Sequence, residues 1–204
     1  MLNKYEFSGK SIDEVKKQAL SELNEKEENL IINEKETKGG LFKGKKIELE
    51  VYKKEDIVSY IKEAIKKIAS DMGLDCKIET KMRDGMLNIS LYSDNNNILI
   101  GKNGRTIDAL STIVKQMVHN EIGVMYKFNL DVGDYKVKQQ KRIESLAKRT
   151  AREVSRSKIA AKLDPMNSYE RRIIHNALND HKYVYTESEG EEPNRCVVIK
   201  PRED

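Results

Sequence analysis

The chain contains few of the residues that mark secreted, metal-binding or membrane proteins. Its 204 residues include two cysteines, three prolines and no tryptophan, and aromatic side chains make up only 6%. Cys76 and Cys196 belong to neither a CxxC motif nor a Cys/His cluster, so we expect no zinc site and no disulfide framework, and a reducing cytoplasm fits best. The sequence also lacks an apolar run long enough to span a bilayer and a signal-peptide segment in its first 20 residues.

Positive charge is in excess in only one region of the chain. The formal net charge of the whole is +4, residues 1–52 carry −1, and residues 53–134 are neutral. Residues 135–182 hold 13 basic and 5 acidic side chains, and acidic residues near the end of the sequence hide this excess in the total. A basic region of this density is typical of a surface that contacts phosphate backbones, and also of a solvated helix face.

Hydrophobic periodicity and turn signals predict an α+β protein of three small modules, each a small sheet packed with helices. Residues 1–53 predict a β-α-β-β unit. Residues 54–134 predict an α-β-β-α-α-β unit, in which the dipeptide Asp84-Gly85 predicts a tight primed turn between two strands. Residues 135–204 predict an α/β unit that begins with a long basic helix at about residues 135–157. Linkers of only a few residues join the three modules.

Two capping patterns mark where helices begin. Ser11 followed by Glu14 has the spacing of a capping box at the start of the first helix. Asn167 followed by Glu170 offers a second cap, at the start of a helix that extends to about residue 179. Both patterns therefore predict where an amphipathic segment enters its first turn.

The most specific local feature is the loop Gly101-Lys102-Asn103-Gly104. Two glycines three residues apart permit a tight turn and leave the backbone open, so a sugar-phosphate chain can approach the amides of the following helix. Lys102 and Arg105 add positive charge at that point. The loop is neither a Walker A motif nor GxGxxG, which gives nucleotide hydrolysis no support, while a simple turn is the alternative interpretation.

The order of predicted elements around this loop resembles a type II KH domain. In KH domains a GxxG loop clamps about four nucleotides of a single strand. The resemblance implies that Gly101–Gly104 hold the nucleic-acid backbone. It also implies that bases lie in an apolar groove beside Ile98, Ile100 and Ile107.

A second motif contains Arg171 and His175 on the predicted helix. Because they are four residues apart, they share one helix face, where they can present a fork of donors and a ring to a phosphate or base. The alternative is a surface arginine beside a hydrogen-bonded histidine. The string YERRIIH resembles the R-three-H domain, which binds single-stranded nucleic acid, and the preceding basic helix adds Lys148, Arg149 and Arg152 to the candidate site.

Few aromatic side chains are available to stack on bases. Tyr135, Tyr169 and Tyr183 are candidates, and each is equally compatible with a place in the core. Stacking therefore has limited support from the sequence alone.

The segment 38–44 predicts a turn-rich tip on the N-terminal module. Leu41 and Phe42, next to Gly40, either contact a protein partner or fold back onto the small sheet. The tip is similar to that of the Jag N-terminal domain, although it lacks the second glycine spacing of the fuller motif. We therefore predict Gly40, Leu41 and Phe42 as protein-interaction residues.

With all three modules in order, the chain resembles the Jag family, also called the SpoIIIJ-associated or KhpB family, over its whole length. The resemblance implies a cytoplasmic protein that binds single-stranded RNA, with single-stranded DNA as an alternative ligand, in processes of cell envelope, elongation or division. It further implies a second small KH protein as a partner and peripheral association with the membrane or its insertase. The near-neutral N-terminal module also leaves a homodimer open.

Two other classes of function compete with this one. An enzyme would need a nucleophile with a base, or a metal cluster, but His119, His175 and His181 have no such spacing, so we predict no catalytic residue, metal or cofactor. A protein–protein adaptor is the stronger alternative. In that case the N-terminal module docks a partner near the membrane insertase and RNA binding is secondary.

Overall fold

The computed structural model describes residues 2–37 and 46–202 of the chain. Their helices and three-stranded sheets confirm the predicted α+β class. The chain divides into two compact units after Gly133. The further boundary between the first two predicted modules stays a prediction.

The first unit opens with a three-stranded antiparallel sheet and one helix. Its elements are β1 (Tyr5–Gly9), α1 (Ile12–Leu23), β2 (Leu30–Thr37) and β3 (Lys46–Lys53). The strand order is β1-β3-β2, and α1 packs Val15 and Ala19 against the sheet residues Leu49 and Val51. A helix with this apolar stripe buries one face on a sheet and leaves its polar face in water.

The predicted capping box at Ser11 is wrong. Ser11 is the N-cap residue of α1, but its side chain makes no capping hydrogen bond. The Val15 N–H donates to the Ser11 carbonyl at 3.1 Å, which is the ordinary first hydrogen bond of the helix. The carboxylates of Asp13 and Glu14 in the first turn also interact favourably with the helix dipole.

The same unit continues into a second sheet and three further helices. These elements are α2 (Lys54–Asp71), β4 (Cys76–Arg83), β5 (Met86–Ser93), α3 (Asn96–Ile100), α4 (Arg105–Ile122) and β6 (Phe128–Val132). The strand order is β4-β5-β6, in which β4 and β5 are antiparallel and β5 and β6 are parallel. Asp84 and Gly85 both have positive φ, which a primed hairpin turn requires, so the hairpin predicted from this dipeptide is confirmed.

The two sheets of the first unit are joined without a linker, since β3 ends at Lys53 and α2 begins at Lys54. Two side chains from the first sheet also donate to the last carbonyls of α4. Asn33 donates to the Ile122 carbonyl, and the Tyr52 hydroxyl donates to the Glu121 carbonyl at 3.1 Å. Carbonyls in the last turn of a helix have no partner within the helix, so the first sheet caps α4 from outside.

The second unit packs two helices on a small antiparallel sheet. Its elements are α5 (Tyr135–Ser157), β7 (Ala161–Lys162), α6 (Ser168–Leu178), β8 (Val184–Glu189) and β9 (Cys196–Pro201). The central strand β9 pairs with β7 and β8, and the core includes Ala147 and Val154 of α5 and Ile174 of α6.

The cap predicted at Asn167 is confirmed, and the structure shows a full capping box. The Glu170 N–H donates to the Asn167 side chain at 2.9 Å, and the Glu170 carboxylate accepts from the Asn167 N–H at 3.2 Å. Helix α6 therefore begins where the sequence predicts. Across the described ranges, no helix combines the length and the apolar character that a membrane crossing requires.

Candidate nucleic-acid interface

The loop between α3 and α4 has a backbone that only glycine can adopt at Gly101. Gly101 has φ 70° and ψ −179°, and a Cβ there would lie 2.0 Å from the Thr106 hydroxyl oxygen. Asn103 and Gly104 also have positive φ, of 54° and 77°. The left-handed region favours glycine and tolerates asparagine, so the GxxG pattern reports a real backbone requirement.

This loop presents exposed positive charge at the N-terminus of α4. Lys102, Asn103 and Arg105 are exposed, and Gly104, the N-cap residue of α4, provides no side-chain cap. Within residues 2–37 and 46–202, neither Lys102 nor Arg105 takes part in an ion pair. Because the positive end of the helix dipole and exposed cationic side chains attract anions, this loop suits a phosphate.

The apolar residues near the loop separate into surface and core. Ile98 on α3 is 45% exposed and Ile100 is half-buried. Ile107 is only 1% exposed, so the predicted place for Ile107 in a base-binding groove is wrong. It begins the buried stripe of α4 that continues through Leu110 and Val114, because residues three and four apart share one helix face.

Arg171 is held by the protein's own residues. It is 9% exposed, and its Nη2 donates to Glu192 Oε1 at 2.7 Å, while its Nε is buried without a hydrogen-bond partner. Glu192 lies in the connection between β8 and β9. The Arg171 guanidinium therefore already binds a carboxylate that the fold brings to it.

His175 shares the helix face of Arg171, and that face lies against β8. Its Nδ1 is 2.6 Å from the Thr186 hydroxyl oxygen and its Nε2 is 2.9 Å from the Ser188 hydroxyl oxygen. A neutral imidazole has one donor and one acceptor, and hydroxyls can satisfy both. Burial, and then the charge of Arg171, lower the pKa of His175 from its ordinary value.

The basic side of α5 forms a different surface, which we call the α5 face. Lys148, Arg149 and Arg152 are all exposed there. Two adjoining shallow depressions follow this helix, and both are lined by Arg152 and His181. Neither lining includes Arg171 or His175, so the predicted site residues of the second unit occupy two surfaces.

Several residues of the α5 face were missed or left open by sequence reasoning. Lys141 and Arg156 follow the spacing of α5 and could have been found from its period of 3.6 residues. His181 follows α6, and no spacing rule connects it with α5. Tyr169 is 61% exposed and Tyr183 is 45% exposed, which leaves both rings accessible for stacking.

Two other predictions concern protein contacts and metal binding. The predicted protein-interaction residues Gly40, Leu41 and Phe42 lie outside the described residues. Among the residues that the structure does describe, no three His, Cys, Asp or Glu side chains gather as a metal site would need.

Comparison with known proteins defines the class of protein. The family model of the KhpA/KhpB KH domain matches residues 58–130, and that of the R-three-H domain matches residues 141–201. The chain therefore combines a KH domain, which contains the Gly101–Gly104 loop, with an R-three-H domain, which contains Arg171 and His175.

The relatives define the family. The chain is 36% identical to the RNA-binding protein KhpB of Clostridium symbiosum over 197 residues, which cover 94% of this chain and 89% of that protein. It is 27% identical to the RNA-binding protein KhpB of Bacillus subtilis over 94% of this chain and 95% of that protein. It is 32% identical to the RNA-binding protein KhpB of Lactiplantibacillus plantarum over 66% of this chain and 42% of that protein. The chain belongs to the KhpB family.

Proposed function

We propose that this protein binds single-stranded RNA in the cytoplasm through two binding sites, with little dependence on the RNA sequence. The observation that carries the proposal is the glycine-shaped loop Gly101–Gly104 at the N-terminus of α4, flanked by exposed Lys102 and Arg105. Relatives that carry the name RNA-binding protein support RNA as the ligand. The biological setting implied by the family resemblance is the cell envelope, elongation or division.

The first binding site is the Gly101–Gly104 loop. With no side chain at Gly101 or Gly104, a phosphate can approach the N-terminus of α4, where the exposed Lys102 and Arg105 add charge. Ile98 and Ile100 then offer apolar contact to a base beside the loop. Such contacts are made to the backbone and to base faces, which explains a low sequence preference.

The second binding site lies in the second unit. Lys148, Arg149 and Arg152 supply exposed positive charge on the α5 face. Arg171 and His175 contribute on the other surface, where a phosphate would compete with the Glu192 carboxylate for the guanidinium. Arginine binds phosphate and carboxylate by the same planar donor pattern, so the two ligands are interchangeable in geometry.

The salt dependence of RNA binding tests the proposal. A fluorescein-labelled single-stranded RNA of mixed sequence is titrated with the full chain at several KCl concentrations, and anisotropy gives Kd. We expect log K to fall linearly with log salt, with a slope of roughly −0.7 for each phosphate contacted. Absence of salt-dependent binding would contradict the proposed function.

A matched pair of variants tests the role of the Gly101–Gly104 loop, which is the KH loop. Lys102→Asp reverses one charge in the loop, and Lys66→Asp makes the same change at an exposed position of α2. We expect the loop variant to weaken binding at least tenfold and the α2 variant to have little effect. Equal affinity of the two variants would remove the KH loop from the proposed function.

A second candidate function is a protein–protein adaptor. It is favoured by the N-terminal sheet, which is joined to α4 by Asn33 and Tyr52 and belongs to the part of the chain without excess positive charge. A second small KH protein, a second copy of this chain, or the membrane insertase would be the partner. Light scattering of the full chain tests the second copy: Leu41→Ser with Phe42→Ser would halve a dimer mass, whereas Ile159→Ser, at another apolar position, would not.

A further inference from the structure

The α5 face contains a ring pair that neither the KH loop nor the Arg171–His175 pair uses. His181 and Tyr183 follow α6, and both line the depression that also contains Arg149, Arg152 and Arg156. The connection after α6 therefore brings two rings to a row of three arginines on α5.

The arginines of this row are available to a ligand. Arg149, Arg152 and Arg156 are exposed, and within the described part of the chain none of them is paired with a carboxylate. Glu153 is the one acidic residue in the lining of the same depression. Residues 149 and 156 are two helical turns apart, about 10 Å, so the row follows the helix axis.

The two rings are held in a defined arrangement. Their centroids are 6.4 Å apart at an interplanar angle of 71°, so one edge meets one face. The Tyr183 N–H donates to His181 Nδ1 at 3.3 Å, so Nε2 is the ring nitrogen that can donate to a ligand. The Lys182 ammonium lies over one face of the Tyr183 ring, 5.3 Å from its centroid, so the opposite face is the one offered to a base.

We propose that Tyr183 and His181 form a base-binding subsite and that Arg149, Arg152 and Arg156 bind the flanking phosphates of the same strand. This inference rests on the proposed function, and it adds a single-strand contact distinct from Arg171 and His175. Base faces in a duplex are covered by their neighbours, so the subsite accepts unpaired nucleotides. Stacking on aromatic rings tolerates every base, because each base has a π face.

Removal of the ring is the direct test. In the full chain, Tyr183→Ala should raise the Kd for single-stranded RNA roughly five- to a hundredfold, the loss expected for one stacked base, and Tyr183→Phe should restore it. Tyr185→Ala removes a tyrosine that is 37% exposed and lies outside both depressions, and it should leave Kd unchanged. Binding to duplex RNA should not respond to any of the three variants.

Charge removal gives a second, independent readout. Arg152→Gln should reduce the salt slope by roughly 0.7, one single-strand phosphate, whereas Arg172→Gln, an exposed arginine outside the depressions, should not. Ultraviolet crosslinking of the unmodified chain to RNA, followed by peptide mass spectrometry, should place a crosslink within residues 181–183. This last experiment needs no variant, so it decides the matter even if Tyr183→Ala does not fold.

The outcomes separate this inference from the proposed function. If the unmodified chain binds RNA and Lys102→Asp weakens it, but Tyr183→Ala matches Tyr185→Ala and no crosslink falls within 181–183, the subsite is overturned and RNA binding stands. If the unmodified chain shows no salt-dependent binding to RNA, both are overturned.

Discussion

The two motifs that predict nucleic-acid binding are prepared in opposite ways. The Gly101–Gly104 loop is open: its backbone is set by glycine, and its charged side chains are exposed. The Arg171–His175 pair is occupied, since Glu192 binds the arginine and Thr186 and Ser188 bind the histidine. Within the described residues, no carboxylate pairs with Lys102 or Arg105, so a phosphate would meet no competing side chain there. At Arg171 a phosphate would have to displace the Glu192 carboxylate. The loop therefore leaves its charged side chains exposed to solvent, whereas the pair is bonded to residues of its own unit.

The largest effect is expected from closing the open site. Gly101→Ala places a Cβ against the Thr106 side chain at a positive φ, so the loop must rearrange. We expect RNA affinity to fall at least tenfold and the free energy of unfolding to fall by about 1–3 kcal/mol. Anisotropy and urea unfolding measure the two quantities.

The control for this prediction is Gly85→Ala in the β4–β5 turn. Gly85 has φ 72°, close to that of Gly101, but a Cβ there meets no atom within 4 Å. The Gly85→Ala variant should lose stability and retain the RNA affinity of the unmodified chain. Retained RNA affinity in Gly101→Ala would show that the loop geometry does not matter for binding.

Breaking the occupied site should cost stability first. Arg171→Ala leaves a cavity and removes the partner of Glu192, so we expect unfolding to become easier by about 1–3 kcal/mol. Arg172→Ala removes the exposed neighbouring arginine and should change stability by less than about 0.5 kcal/mol. Urea unfolding measures both. Equal stability of the two variants would mean that Arg171 has no structural role.

The pH dependence of stability tests how His175 is held. Its pKa is lowered by burial and by Arg171, so below its ordinary value of 6.5 the unfolded chain binds more protons than the folded chain. Stability is therefore complete above about pH 6.5 and falls as the pH decreases towards the folded-state pKa. Urea unfolding between pH 8 and pH 5 should show a steeper decline in the unmodified chain than in His175→Gln. Parallel curves would contradict this account.

The smallest effect is expected from freeing Arg171 without removing it. Glu192→Gln should tighten RNA binding by a few-fold and lower the free energy of unfolding by at most about 1 kcal/mol, because the pair is partly exposed. Glu191→Gln makes the same change of charge one residue away, where no ion pair forms within the described residues. Identical affinities of the two variants would show that Glu192 does not compete with RNA.

Local patterns predicted much of this protein because they act over a few residues. The long basic helix predicted at about residues 135–157 is α5, and the Asp84-Gly85 dipeptide predicted its hairpin, as the structure confirms. The exception is Ser11, whose spacing with Glu14 is that of a capping box although its hydroxyl makes no such bond. A spacing permits a hydrogen bond, and the rotamer that packing selects decides whether it forms.

The sequence by itself determined the order of elements, the α+β class and the glycine-dependent turn, because each depends on neighbours within one or two turns of chain. Only the tertiary structure decided what the motifs face. Glu192 reaches Arg171 from 21 positions away, and Asn33 caps α4 from 89 positions away. His181 and Tyr183 join the arginines of α5 only because α6 packs on that helix. Such contacts depend on the packing of separate elements, which periodicity and spacing do not encode.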